Sequence, residues 1–181
     1  MEKKSDQQIK RKEYLRLIMA LAVVFLIAGS FILYLAWPLM TGKAIRLATR
    51  PVDPFDVFRG QYITINYEIS NLPLVNGGNE GNNVYVVLNE DQEKIFRYSS
   101  ASLTKPTVGI FIKGKIRSTY GNSMNVEYGI EQFFFERNAE FQMRNLTVEA
   151  KVDSSGNARI SNLLYNDKPV EIKYRKASPI S

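Results

Sequence analysis

The 181-residue sequence contains no cysteine and no histidine. Without cysteine there is no disulfide framework and no thiolate zinc site. Without histidine the commonest general base and the commonest neutral metal ligand are both missing. That excludes Ser-His-Asp triads, Cys-His dyads and HExxH zinc sites. Internal repeats and low-complexity tracts are also absent. What is present suits a folded chain: 45% hydrophobic and 12% aromatic residues supply enough apolar surface to resist disorder.

One long stretch lacks charge altogether. Residues 17–40 read LIMALAVVFLIAGSFILYLAWPLM, with Ser30 as the only small polar side chain. As a helix, residues 17–37 span roughly 31 Å at about 1.5 Å per residue, which matches a hydrocarbon core of about 30 Å. Pro38 ends the run, and Tyr14, Tyr34 and Trp37 sit where amphipathic aromatics settle at headgroups. A soluble core helix rarely goes so far without a charge. A cleaved signal peptide would have a shorter apolar core and a small-x-small site, whereas Ala36-Trp37-Pro38 follows here. The reading is an uncleaved signal anchor in a cell membrane, single-pass.

The flanks give its orientation. Lys3, Lys4, Lys10, Arg11, Lys12 and Arg16 precede the stretch, and only Lys43, Arg46 and Arg50 follow closely. The basic excess places the N-terminus in the cytoplasm and the rest of the chain outside it. The net charge of +6 divides evenly across the anchor. The outer part is nearly balanced, without a basic run or a stacking-aromatic motif, so nucleic acid is not expected as a partner.

After residue 41 the helical period gives way to a period of two. Strands are expected at 44–49, 61–69, 84–88, 94–98, 108–117, 124–135, 147–152 and 158–165, with a short helix within 137–145. This pattern predicts an all-β fold, an antiparallel sandwich or open barrel, with at most one short helix and one preceding transmembrane helix. In 61–69, Ile63, Ile65, Tyr67 and Ile69 share one face, and Tyr62, Thr64, Asn66 and Glu68 the other. The strands 108–117 and 124–131 predict a hairpin through residues 119–123, pairing Ser118 with Met124, Ile116 with Val126, Lys115 with Glu127 and Ile112 with Ile130. Val108, Ile110, Ile112 and Ile116 would face the core. Lys113, Lys115 and Arg117 form a basic stripe, read first as a solvated face and more sharply as a contact for anionic polymer or headgroups. The organisation expected is a basic cytoplasmic tail (1–16), a transmembrane helix (17–40), a β-rich domain (41–172) and a flexible tail (173–181).

The segment RGQYITINYEIS, residues 59–70, resembles the signature of the GDYXXLXY family. That family comprises membrane-anchored bacterial proteins of unassigned activity. The similarity extends through the lead-in WPLMTGKAIRLATRPVDPFDVFRG and on to VYVVLNED, IFIKGKIR, YGIEQFFFE and VDSSGNARI. The motif falls on Arg59, Gly60, Gln61, Tyr62, Ile65 and Tyr67, with Gln61 where the motif has Asp and Ile65 where it has Leu. Gln61 brings no charge to that place; Ile65 is a conservative apolar change. The resemblance implies an envelope location and a multi-pass membrane protein as partner. On the residues themselves, Gly60 suits a turn before the strand, Ile65 and Tyr67 read as core, and Tyr62 is either packed under a loop or offered to a partner. Asp53, Asp56 and Arg59 crowd the preceding turn, as turn bonds or as a ligand site.

Few residue patterns in the sequence point to catalysis or metal binding. Ser102-Leu103-Thr104-Lys105 matches SxxK, but Pro106 disfavours the helical turn that motif needs, and no KTG follows. Glu127 and Glu131 could pair as carboxylates for glycosidic chemistry, though as strand residues they read as solvated. Asn89, Glu90 and Asp91 lack EF-hand spacing. No catalytic residue, metal or cofactor is assigned. The function expected is a non-catalytic binding or scaffolding module held in the bilayer beside another membrane protein; the alternative is an envelope hydrolase with a Ser–Lys mechanism.

Overall fold

The computed structural model describes residues 2–50, 62–135, 139–140 and 146–174. The chain divides into two compact units, Met1–Trp37 and Pro38–Ser181.

The first unit is helical. Helix α1 runs Glu2–Thr41, so its last turn belongs to the second unit. It extends back through the charged segment that the sequence sets apart as a tail, where Glu, Lys and Gln are good helix formers. Lys12–Trp37 is long and apolar enough to cross a membrane. Apolar side chains point outward on every side of it: the successive residues Val24, Phe25, Leu26 and Ile27 are 61%, 68%, 73% and 61% exposed. A helix hydrophobic all round has no single face to bury against a soluble core. Ser30 satisfies its hydroxyl locally by donating to the carbonyl of Ile27, 2.9 Å away.

The second unit is built from short antiparallel strands: β1 Lys43–Arg50, β2 Tyr62–Thr64, β3 Asn66–Tyr67, β4 Asn71–Pro73, β5 Asn83–Glu90, β6 Phe96–Ser102, β7 Ile110–Tyr120, β8 Ser123–Glu127, β9 Gln132–Phe134, β10 Ala139–Glu140, β11 Leu146–Val152, β12 Ala158–Tyr165, β13 Lys168–Pro169 and β14 Lys173–Tyr174. They form two five-stranded sheets, ordered β13-β12-β11-β1-β3 and β4-β8-β7-β5-β6, and two ribbons, β2-β9 and β10-β14. One hydrophobic core joins the sheets: Ile45, Leu47, Val148 and Ala150 from the first meet Val84, Val86, Ile112 and Val126 from the second. Alternation drives this. In β11 every second residue is buried, from Leu146 to Val152, so one face of the strand is spent on the core. The expected all-β antiparallel class is what the chain adopts.

Three expectations are revised. The alternating run 61–69 keeps its faces, with Ile65, Tyr67 and Ile69 buried and Tyr62, Thr64, Asn66 and Glu68 exposed. It is not one strand, however. β2 pairs with β9, β3 with β1, a 3-10 turn follows at Glu68–Ser70, and β4 pairs with β8. The segment crosses from the first sheet to the second and changes partner as it goes. The helix placed at 137–145 does not form at Ala139–Glu140, which pair with Lys173–Tyr174; the rest of it lies outside the described residues.

The hairpin of β7 and β8 has the predicted register at Lys115↔Glu127 and Ile116↔Val126. A bulge at Arg117 then shifts the pairing, so Thr119, not Ser118, opposes Met124. The extra residue shortens the connection to Gly121-Asn122. Gly121 supplies the positive φ, +56°, that a type II′ turn requires at its first position. The bulge also turns Arg117 onto Glu127, 2.9 Å away, so the ion pair on this face is Arg117–Glu127. The pairing ends before Ile130, and Gly129 at φ +77° separates β8 from β9. Val108 lies outside β7 and is 80% exposed, whereas Ile112 and Ile116 are core.

Candidate functional site

The motif strand is the natural candidate. Arg59, Gly60 and Gln61 lie outside the described residues, as do Asp53 and Asp56. Tyr62, Ile65 and Tyr67 are placed, and they part company. Tyr62 is 39% exposed on β2 and packs its ring against Phe134 across the ribbon, centroids 5.7 Å apart. Ile65 and Tyr67 are buried, Tyr67 completely.

A buried tyrosine needs a partner for its hydroxyl. Tyr67 finds one far along the chain, donating to the carbonyl of Ile130 at 2.5 Å. Tyr128 returns the arrangement by donating to the carbonyl of Ile69 at 2.6 Å. Between these bonds, the Ile65 N–H donates to the Glu131 carbonyl at 2.6 Å, and the Tyr128 N–H donates to the Glu131 carboxylate at 2.5 Å. Segments 65–70 and 128–131 are thus cross-braced by each other's tyrosines. Burial pushes both phenols far above the ordinary tyrosine value, and the Glu131 charge pushes the same way. Both therefore stay protonated as donors. The motif's inner residues hold backbone together and present no reactive group to solvent.

Beside β9 lies a shallow depression of about 150 Å³ lined by Phe133, Ser161, Asn162, Leu163, Pro169, Val170 and Ile172. Its walls are mostly apolar, and no titratable side chain lines it.

The other candidates are used for architecture. Ser102 is the last residue of β6 and a bend, not a helix, follows it; its Oγ accepts the Thr104 N–H at 3.1 Å and meets the Thr104 hydroxyl at 2.9 Å. Lys105 Nζ lies 5.9 Å from the centre of the Phe111 ring. Glu127 pairs with Arg117, and Glu131 accepts from Tyr128. Asp91 accepts the N–H groups of Glu93 and Ile95, each at 2.9 Å, and Arg97 Nε at 2.7 Å. The Ile95 N–H, then Arg97, hold its carboxyl below the usual aspartate value. Arg97 also bridges to Glu68, tying the loop to the 3-10 turn. Among the described residues no group of three acidic side chains is placed to hold a metal. Arg97 and the bracing role of Tyr128 were not expected from the sequence, and Glu131 was expected only as half of a carboxylate pair or as a solvated strand residue. The signal for Tyr128 was legible: a tyrosine on the apolar face of a core strand must be hydrogen-bonded.

A family model described as GDYXXLXY protein matches residues 24–163. The chain belongs to the GDYXXLXY family. The match runs from within α1 to β12, so it takes in both cross-braced segments of this GDYXXLXY protein. No curated protein and no solved structure matches the chain.

Proposed function

We propose that this GDYXXLXY protein is a single-pass protein of the bacterial cell envelope, anchored by α1, with its N-terminus in the cytoplasm and its β unit outside. There the β unit acts as a non-catalytic binding or scaffolding module beside another membrane protein. The observation that carries the reading is the helix Lys12–Trp37, long and apolar enough to cross a membrane, on a chain whose buried tyrosines, Tyr67 of the motif and Tyr128, are committed to packing. The basic N-terminal flank supports the orientation. Exposed Tyr62 and Phe134 offer an aromatic pair for a partner, and aromatic side chains are enriched where proteins meet.

Two measurements test this. Because the chain has no cysteine, single labels are clean: Ser123→Cys should react with an impermeant maleimide in intact cells, and Ser5→Cys should not. The reverse pattern would overturn the orientation. Mild-detergent purification of the full chain should retain a stoichiometric membrane protein, and Tyr62→Ala with Phe134→Ala should release it. Retention of no membrane protein, even after crosslinking in cells, would overturn the scaffolding role.

A further inference from the structure

The end of the β unit where the chain comes in carries an unusual charge pattern. β1 starts at Lys43, whose Cα partner is Val152 at the end of β11. One residue back, Lys151 donates from Nζ to the carbonyl of Leu39, 2.7 Å away. On its other side Lys151 faces Arg159 of β12, a cation directly opposite a cation. Like charges in that position destabilise a sheet. No ion pair relieves them among the described residues: Arg159 donates to the carbonyl of Ala158 at 3.1 Å, and Lys151 to that of Leu39.

The loop 153–157 that joins β11 to β12 brings in further positive charge. Its Gly156 carbonyl accepts the N–H of Lys113 at 2.8 Å, and Gly156 packs against the Phe111 ring, over which Lys105 sits. Lys43, Lys105 and Lys113 have no carboxylate within salt-bridge reach among the described residues. The nearby carboxylates of Asp153 and Glu149 bond to neutral donors and form no ion pair with these cations among the described residues. Asp153 accepts the N–H groups of Ser155 and Asn157 and the Asn157 amide, and Glu149 accepts Ser161 Oγ and Asn162 Nδ2.

We propose that this end of the β unit, through Lys43, Lys105, Lys113, Lys151 and Arg159, docks on the anionic lipid headgroups of the leaflet from which α1 emerges. The proposal rests on the reading that Lys12–Trp37 crosses a bilayer. Charge complementarity is one argument, since clustered Lys and Arg beside a membrane span are drawn to anionic lipid within a Debye length. Chain length is the other: Gly42 alone separates the last helical residue from the first strand residue, and one residue reaches at most about 3.6 Å. Cations that repel each other in the free protein are relieved where a sheet of phosphates meets them.

The test uses the full chain in nanodiscs, labelled with a fluorophore through Ser155→Cys at the exposed loop tip. Discs of phosphatidylcholine alone are compared with discs containing phosphatidylglycerol, both doped with a headgroup spin-label quencher. Quenching should be at least about twofold stronger in the anionic discs, and the difference should vanish near 1 M salt, where the Debye length is about 3 Å. Lys151→Glu with Arg159→Glu should remove the difference. Equal quenching in the two lipids overturns the proposal without needing any variant to fold, and leaves these cations to a protein partner. Failure of the chain to stay in either disc overturns the spanning reading, and this inference with it.

Discussion

In the loop 91–95 the Asp91 N–H donates to the Ile95 carbonyl at 2.9 Å, and the Lys94 N–H to the Asp91 carbonyl at 3.1 Å. In the loop 153–157 the equivalent bonds, Asp153 to Asn157 and Gly156 to Asp153, are both 3.0 Å. Each aspartate also accepts the N–H groups two and four residues on. Each loop then has a left-handed residue at its fourth position, Lys94 at φ +61° and Gly156 at φ +85°. The plan is shared and the demand for glycine is not. Lys94 is exposed, whereas a Cβ on Gly156 would lie 2.9 Å from both the Lys113 nitrogen and the Phe111 ring. The aspartate suffices to impose the turn, even on a residue that dislikes the left-handed region. Glycine is required where that turn must also dock on the other sheet.

The largest effect expected is at the docked loop. Gly156→Leu should destabilise the β unit by about 2–5 kcal/mol, combining left-handed strain with overpacking. Thermal unfolding followed by near-UV circular dichroism measures it. Lys94→Leu, already in the strained conformation and in open space, should cost almost nothing; a loss at Gly156 of only about 1–2 kcal/mol, the left-handed strain by itself, would reduce the contrast to φ alone. Next comes Asp153→Ala, which leaves loop N–H groups without their acceptor and should cost about 1–2 kcal/mol, read from a urea midpoint. Smaller still is Lys94→Gly, a gain of under about 1 kcal/mol, because relief of strain is partly offset by the freer unfolded chain.

The smallest effect is a pH dependence at Asp91. Its carboxyl is held below the ordinary value by the Ile95 N–H and then Arg97. A depressed folded value means the contribution is present above the unfolded value, about 3.9, and is lost as pH falls through the folded one. Amide exchange at Glu93 and Ile95 should quicken over that acid window once corrected for intrinsic rates. Asp91→Asn should abolish the extra pH dependence, and an unchanged profile in that variant would assign the effect elsewhere.

Local features were readable from the residues. The alternation in 61–69 gave the right faces for Ile65 and Tyr67 because burial repeats every second residue whichever strand lies alongside. The partner switch along that run was not readable, since it depends on β9, β1 and β8, which come from distant parts of the chain. The hairpin register held at Lys115 and Ile116, failed at Arg117, and the expected pair of Ile112 with Ile130 did not form. Nothing in a polar, solvent-facing run marks which residue will be the unpaired one. The same holds for the bond from Tyr67 to Ile130: the need for a partner is local, but its identity is settled by packing across the whole unit.

The position of β1 has a consequence in time. It is an inner strand of the first sheet, flanked by β11 and β3, yet Leu47 pairs with Val148. At a synthesis rate of about 5–20 residues per second, the hundred or so residues between them take roughly 5–20 s to appear. Throughout that interval a strand bearing Ala44, Ile45, Leu47 and Ala48 waits just after α1 with its main partner unmade. The β unit can therefore close only after nearly all of it has been synthesised, and a nascent chain stalled before β11 would present an open, apolar strand edge to whatever lies nearby.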